Sequence, residues 1–245
     1  MEDFSFDLEL SSLPKEKWWG DDEYLFQLGG FWHLPQLIHG VHGVINHFQP
    51  LPSDIILASF PKTGTAWLKA LLYSIVNRSS KHRLTVENPH SLIPILENPK
   101  DTLVSAWHFV NKWARAKEEQ WPFEVAVEKF CRGLIPSGPY YDHVMGYRNL
   151  SLDRPKYAHF LTYEELKNDP KTHVKKLTEF LGCPFQGEDV DAQVEGIVNG
   201  CSFEVLSNHE VNKTEGFPAR IGLPSNSFFR RVLSGIMKNT CLLRL

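Results

Sequence analysis

The apolar run Ile55-Ile56-Leu57-Ala58 closes on Ser59-Phe60-Pro61, and past a turn at Gly64 the spacing changes: Trp67, Leu68, Leu71, Leu72 and Ile75 recur every three or four residues. The first pattern predicts a short strand, Ile55 to Phe60, buried on both faces of a parallel sheet, and the second an amphipathic helix ending at Asn77 to Ser80. Helical spacing returns downstream. It predicts a helix after Pro99 with Leu103, Val104, Trp107 and Val110 on one face, another from near Pro122 with Phe123, Val127 and Phe130, and a third after Gly138-Pro139 with Val144 and Tyr147. Tyr157 to Leu161 reads as a second strand. Asp169-Pro170 is an N-cap and first-turn pair opening a helix with Val174, Leu177 and Leu181 inward and Gly182 just past its end, and one more helix covers about Asp189 to Val198. The first fifty residues set Trp18, Trp19, Phe26, Phe31, Trp32, Leu34 and Leu37 among Gly29-Gly30, Pro35 and Gly40. They are expected to be irregular covering structure that could wall an apolar acceptor pocket.

Strand and helix in alternation predict an α/β fold: a parallel sheet flanked by helices in three layers, with a ligand at the carboxyl ends of the strands. Only two core strands are legible, so the sheet is expected to lack core strands. The 245 residues, 42% hydrophobic, suffice for one domain spanning residues 1–245. Net charge is −3 with Lys and Arg scattered, which gives no electrostatic footprint for nucleic acid or an anionic membrane. The acidic opening Met1-Glu2-Asp3 is unlike a leader, and no apolar run approaches the ~20 residues that span a bilayer, so the expected compartment is the cytoplasm. Cys131, Cys183, Cys201 and Cys241 lie far apart without a C-x-x-C and read as reduced thiols. His39, His42 and His47 have no acidic or thiol ligand among them, so no metal is expected.

The chemistry concentrates in the turn Pro61-Lys62-Thr63-Gly64-Thr65, a P-loop-like anion-binding device. Its successive backbone N–H groups point inward, the first turn of the helix adds unpaired N–H groups and a positive dipole end, and Lys62 adds a full charge. Thr63 and Thr65 are expected to turn hydroxyl donors toward the anion. An ordinary strand-to-helix turn is the alternative, although a cation directly after a proline gives such a turn little. The order differs from the nucleotide loop G-x-x-x-x-G-K-[ST], because Lys62 precedes the single Gly64, and no G-x-G-x-x-G occurs. That speaks against a P-loop NTPase or kinase.

The stretch Phe60-Pro61-Lys62-Thr63-Gly64-Thr65-Ala66-Trp67-Leu68-Lys69 resembles the 5′-phosphosulfate loop of the cytosolic sulfotransferases, Y-P-K-[SC]-G-T-[TS]-W. Other segments follow in that family's order: Gly30-Phe31-Trp32, Asn98-Pro99-Lys100-Asp101 with Ser105, Tyr163-Glu164-Glu165-Leu166 and Cys201-Ser202-Phe203-Glu204. The likeness runs from about Leu13 to Asn239 and is nearest to plant members. It implies 3′-phosphoadenosine-5′-phosphosulfate (PAPS) as co-substrate, no metal, and a small hydroxyl acceptor such as a phenol, steroid or flavonoid. It further implies that Lys62 stabilises charge on the leaving phosphate oxygen, and that the amides of Thr63, Gly64, Thr65, Ala66 and Trp67 hold the 5′-phosphate. By the same resemblance Trp67, Tyr163 and Phe203 address the adenine, while Ser105, Arg230 and Arg231 address the 3′-phosphate. Each has a plainer reading: core rings for Trp67 and Phe203, a helix-surface serine, a strand-end tyrosine and a solvated basic patch.

The chain departs from the family in three places. Glu97 stands where the pattern R-N-x-K-D-x-x-x-S has its Arg, a charge reversal that is expected to repel a phosphate. Only Ile95, Leu96 and Glu97 separate the segment Asn88 to Pro94 from Asn98, where the family has a stretch with two strands carrying its catalytic histidine in a T-H-x-P sequence, and that Arg. His90 and His108 flank this join but belong to the neighbouring segments, so neither is assigned as base. The closing motif R-K-G-x-x-G-D-W reads Arg230-Arg231-Val232-Leu233-Ser234-Gly235-Ile236-Met237 here, and the chain ends at Leu245, before the family's last helix. The expected function is sulfonate transfer from PAPS to a small acceptor. A nucleotide-binding pseudoenzyme without the base, and a chain too short of strands to fold stably, are the alternatives.

Overall fold

In the computed structural model, which describes residues 8–19, 23–78, 91–114 and 120–209, the described chain builds two three-stranded sheets. The first is antiparallel and comprises β1 (Lys15–Trp19), β2 (Glu23–Leu28) and β3 (Phe31–His33). Gly29 and Gly30, at φ +62° and +86°, make the two-residue turn from β2 to β3, a left-handed conformation that matches the twist of a hairpin. The expectation of irregular structure in the first fifty residues is therefore wrong. A Gly-Gly pair between apolar runs is itself a hairpin signal, and Trp18 and Leu25 are buried in the core beneath it. Helix α1 (Ile38–His47) follows.

The second sheet carries the rest of the molecule. Its order along the chain is β4 (Ile55–Ser59), α2 (Thr65–Asn77), β5 (Ser91–Leu96), α3 (Pro99–Ala114), α4 (Phe123–Cys131), α5 (Tyr140–Asp153), β6 (Leu161–Thr162), α6 (Tyr163–Asn168), α7 (Pro170–Phe180), α8 (Val190–Gly200) and α9 (Phe203–Asn208). All three strands are parallel, in the order β4-β5-β6. The helices read from apolar spacing are all present. Asp169 caps α7 as expected, its Oδ1 accepting from the Thr172 N–H at 3.1 Å, and Thr162 and Glu165 form a capping box on α6.

β5 is the strand that apolar spacing did not disclose, since Pro94 at its centre argues against a central strand. The hydrogen bonds show how the proline is tolerated. Leu92 donates to the carbonyl of Tyr157 at 2.8 Å and accepts from the N–H of His159 at 2.9 Å, so alternate residues of β5 address that side. Pro94 comes next in the series without an N–H to give. Pairing lapses there, between the Leu92–Ala158 bridge and the Ile95–Leu161 pair, and the strand expected over Tyr157 to Leu161 is reduced to Leu161–Thr162. Toward β4 the register runs unbroken from Ile55–Ser91 to Ser59–Ile95.

Alternation along β5 divides the interior into two cores. Ile93 and Ile95 pack with Leu68, Leu71, Leu72 and Ile75 of α2 and with Leu166, Val174, Leu177 and Val194 on one face of the sheet. Leu96 and Phe60 join Trp18, Leu103, Val110, Phe130 and Tyr140 on the other. Among the described residues β4 pairs only with β5, and Ile55 to Ser59 are half-buried along their whole length. The burial of β4 on both faces expected from its apolar run is not achieved, because no described strand lies on its far side.

Ile95 is fully buried at the centre of the sheet. Ile95→Ala is expected to lower stability by about 2–5 kcal/mol, seen as a lower urea midpoint with an unchanged m-value; a midpoint equal to that of the parent would remove β5 from the core.

Candidate functional site

Between β4 and α2 the backbone turns through Phe60-Pro61-Lys62-Thr63-Gly64, with Lys62 at φ +72° and Gly64 at φ +92°. A left-handed conformation costs a residue with a side chain about 1–2 kcal/mol, so Lys62 must be held there. Thr63 holds it. Fully buried, Thr63 donates its hydroxyl to the carbonyl of Phe60 at 2.7 Å, with the carbonyl of Ile95 sharing the same proton at 3.1 Å. This overturns the expectation that the Thr63 hydroxyl faces an anion: it faces the sheet and fastens the turn to β5. The hydroxyl of Thr65 lies 2.6 Å from that of Ser59 on β4, within hydrogen-bond distance. Gly64 is the N-cap of α2 and offers no side-chain acceptor, so the first-turn amides of Thr65, Ala66 and Trp67 are not closed off by a cap. A Cβ at Gly64 would stand 2.8 Å from Cδ2 of Tyr163, so the position needs glycine for its φ and for its close neighbour alike.

At the carboxyl ends of the three parallel strands lies a cavity of about 370 Å³. Of the residues singled out by sequence, Lys62, Gly64, Thr65, Ala66, Trp67, Ser105, Tyr163 and Phe203 all line it. Thr63 lies behind its wall, and Arg230 and Arg231 fall outside the described residues. The cavity also takes in Glu97, Lys167, Val198, Ser202 and Leu206. Lys167 had a signal in the sequence, being one helical turn beyond Tyr163 and so on the same face of α6. Ser202 had one too, lying in the family-like segment Cys201 to Glu204, whereas Val198 and Leu206 had none and are brought in by the packing of α8 on α2 and of α9 on α8.

The plainer readings fare unequally. Trp67 meets Tyr163 edge-on, with ring centroids 5.5 Å apart at 72°, and packs against the core while also lining the cavity. Phe203 is 42% exposed and is no core residue, while Ser105 is 4% exposed rather than on a helix surface. The Lys62 ammonium stands 4.9 Å from the centroid of the Phe109 ring. His108 is half-buried beside the Trp107 ring and does not line the cavity, and His90 lies outside the described residues.

Charge in the cavity differs from what the sequence suggests. Glu97 is 9% exposed, and burial, followed by the nearby carboxylates of Glu164 and Asp101, pushes its carboxyl up to about 8 against the smaller opposing pull of Lys167 and Lys62. A carboxyl raised this far favours its protonated form at neutral pH, which weakens the repulsion expected from a carboxylate at this position. Burial, with Glu97 and Glu164 nearby, also raises the Tyr163 hydroxyl.

Comparison with known proteins adds an independent line. A family model described as a sulfotransferase domain matches residues 52–97 and 86–241, two stretches that overlap across the join identified in the sequence. Cytosolic sulfotransferase 12 of Arabidopsis thaliana is 36% identical, covering 94% of this chain and 85% of its own length. Flavonol 4′-sulfotransferase of Flaveria chlorifolia is 34% identical, covering 88% and 82%. The alignment to the first relative spans 283 positions against 245 residues here, so that relative carries residues with no counterpart in this chain. Among solved structures, an Arabidopsis thaliana sulphotransferase matches with a TM-score of 0.64 at 32% identity, covering 79% of this chain and 83% of its own. A mouse sulfotransferase complexed with PAP shares the fold at a TM-score of 0.68 and 23% identity, covering 88% and 87%.

Gly64→Ala combines backbone strain with a steric clash against Tyr163. It is expected to cost about 1–3 kcal/mol, lowering Tm by about 2–4 °C for each kcal/mol, and adding Tyr163→Ala should return only the part due to the clash. An unchanged Tm in the single variant would mean that the turn is not built this way.

Proposed function

The chain belongs to the sulfotransferase family, and from that premise we propose that it binds PAPS in this cavity and passes its sulfonate to a hydroxyl group of a small acceptor. The observation that carries the reading is the convergence of Lys62, the open N-terminus of α2, Ser105 and three aromatic rings on one cavity at the strands' carboxyl ends. The fit is chemical. Lys62, Lys167 and the amides of Thr65, Ala66 and Trp67 suit phosphate oxygens, and the hydroxyls of Ser105 and Ser202 add donors. Trp67, Tyr163 and Phe203 offer faces and edges to a purine. A volume of about 370 Å³ lies in the range of small-molecule pockets.

In the transfer the acceptor oxygen bonds to sulfur as the bond from sulfur to the phosphate oxygen breaks, the acceptor's proton passes to solvent water, and negative charge grows on the phosphate released. As in phosphoryl transfer, alignment and electrostatic stabilisation would do most of the work. Lys62, fixed by its strained backbone beside the positive end of α2, is suited to that growing charge. The acceptor would lie beyond Phe60, where Phe31 and His143 close an aromatic wall: His143 stands 5.6 Å from Phe60 and 6.3 Å from Phe31, ring centroid to ring centroid. Burial holds its imidazole below the ordinary histidine range, and its Nε2 has no hydrogen-bond partner among the described residues. A phenol, steroid or flavonoid suits such a wall. The cytoplasm is the proposed compartment, supported by the names of the cytosolic relatives; none of the described helices is long and apolar enough to cross a membrane.

A second reading, a pseudoenzyme that binds nucleotide without turnover, is favoured by one observation: none of the described residues lining the cavity is a histidine. A positioned histidine base contributes about 10²–10⁴-fold to such a reaction, so its loss would leave binding with slow turnover or none.

Calorimetric titration with 3′-phosphoadenosine-5′-phosphate, together with labelled donor offered to a panel of phenols, steroids and flavonoids, separates the readings. Sulfated product supports the transferase, and binding without product supports the pseudoenzyme. Absence of both, in protein whose near-UV circular dichroism shows fixed aromatic packing, would refute the site. Lys62→Ala is expected to abolish binding and any turnover, whereas unchanged affinity would reduce the loop to a structural turn.

A further inference from the structure

Among the described residues that line the cavity Glu97 is the acidic one, and its position is firmly set. Its carbonyl accepts the hydroxyl proton of the buried Tyr140, and the N–H of the following residue, Asn98, donates to Oε1 of Glu164 at 2.7 Å. With the backbone held from α5 and from α6, the side chain lines the cavity together with Lys62, Ser105 and Tyr163. A carboxylate there would face the anion that the other groups attract. A carboxylic acid would instead have a hydrogen to give it.

Resting on the nucleotide site proposed above, we propose that Glu97 is a binding residue that meets the phosphate as a neutral carboxylic acid and donates a hydrogen bond to it, so that capture of the nucleotide is coupled to the proton Glu97 carries. The groups facing Glu97 agree with this. Asp101 on α3 and Glu164 on α6 disfavour a further negative charge, and they outweigh Lys167 of α6 and Lys62 of the loop. With the carboxyl near 8, most molecules hold the proton at pH 7 and few do at pH 9. A bound anion would raise the carboxyl further, because a second negative charge beside it favours the protonated form. Tyr163 and Tyr140, the other titratable neighbours, are raised by burial, Tyr140 to about 12, and do not change charge in this interval. The ligand's own phosphate has a second pKa of about 6, below it.

The sign follows by linkage. The nucleotide prefers the protonated site, so affinity is greatest below the pKa of free Glu97 and falls as pH rises through it, by about tenfold from pH 7 to pH 9, with about half a proton taken up per ligand at pH 8 and nearly one at pH 9. The experiment is titration of the whole chain with 3′-phosphoadenosine-5′-phosphate at pH 7, 8 and 9, in two buffers of different ionisation enthalpy so that protons are counted directly. Glu97→Gln, which keeps an N–H donor but cannot titrate, is expected to flatten the affinity profile and abolish the uptake. Proton uptake by the parent chain is a test in itself should that variant fail to fold. Flat affinity without uptake in the parent would overturn the role of Glu97 and leave the nucleotide site standing. A pH slope that persists in Glu97→Gln would assign the proton elsewhere and overturn it as well. No binding at any pH, in folded protein, would remove the nucleotide site and this inference with it.

Discussion

The left-handed turn at Lys62 and Gly64 depends on one buried hydroxyl, that of Thr63, donated to the carbonyl of Phe60 with the carbonyl of Ile95 alongside. Removing a buried donor leaves carbonyls that water cannot reach, so the side chain is committed to this arrangement. From it follow the placement of Lys62, the uncapped start of α2 and the approach of Gly64 to Tyr163, which together form one wall of the cavity. A residue that resembles a ligand group in the motif acts as the fastener of the motif. Its neighbour Thr65 keeps its side chain in the cavity wall.

The fastening has its far end on β5, which ends at the join where this chain is shorter than its relative. The family match divides there, and the relative's alignment runs longer than this chain. The residues Ser91 to Leu96 nevertheless pair along the whole of β4, burying Ile93 and Ile95 on the α2 side. Pro94 is accommodated because its missing N–H points toward β6, where the ladder is short. The strand then delivers Glu97 to the cavity at its carboxyl end. A charge reversal on paper becomes a buried carboxyl among other carboxyls, and the lowest-energy response of such a group at neutral pH is to keep its proton.

Legibility varied with the range of the forces involved. The helices were readable because apolar spacing is local, and Leu68, Leu71, Leu72 and Ile75 are buried as their spacing requires. Caps were readable for the same reason, as with Asp169 on α7. The hairpin at Gly29-Gly30 was also readable in principle, but the density of Trp and Phe around it suggested a lining rather than a sheet. β5 could not be read from spacing, because a proline in a central strand is acceptable only when a particular neighbour makes no demand on its N–H. That neighbour is more than sixty residues away in the chain.

The sequence by itself determined the strand-turn-helix device, the order of the spaced motifs and the family to which they belong, because each is a short pattern whose physics is complete within a few residues. Tertiary structure decided which way the Thr63 hydroxyl points, that β5 fills the centre of the sheet, that Lys167 and Ser202 share the cavity with Lys62, and that Glu97 is buried beside other carboxyls there. The physical reason is common to all four. Burial, desolvation and hydrogen-bond partnership are set by neighbours remote in the chain, and their outcome exists only once those neighbours are in place.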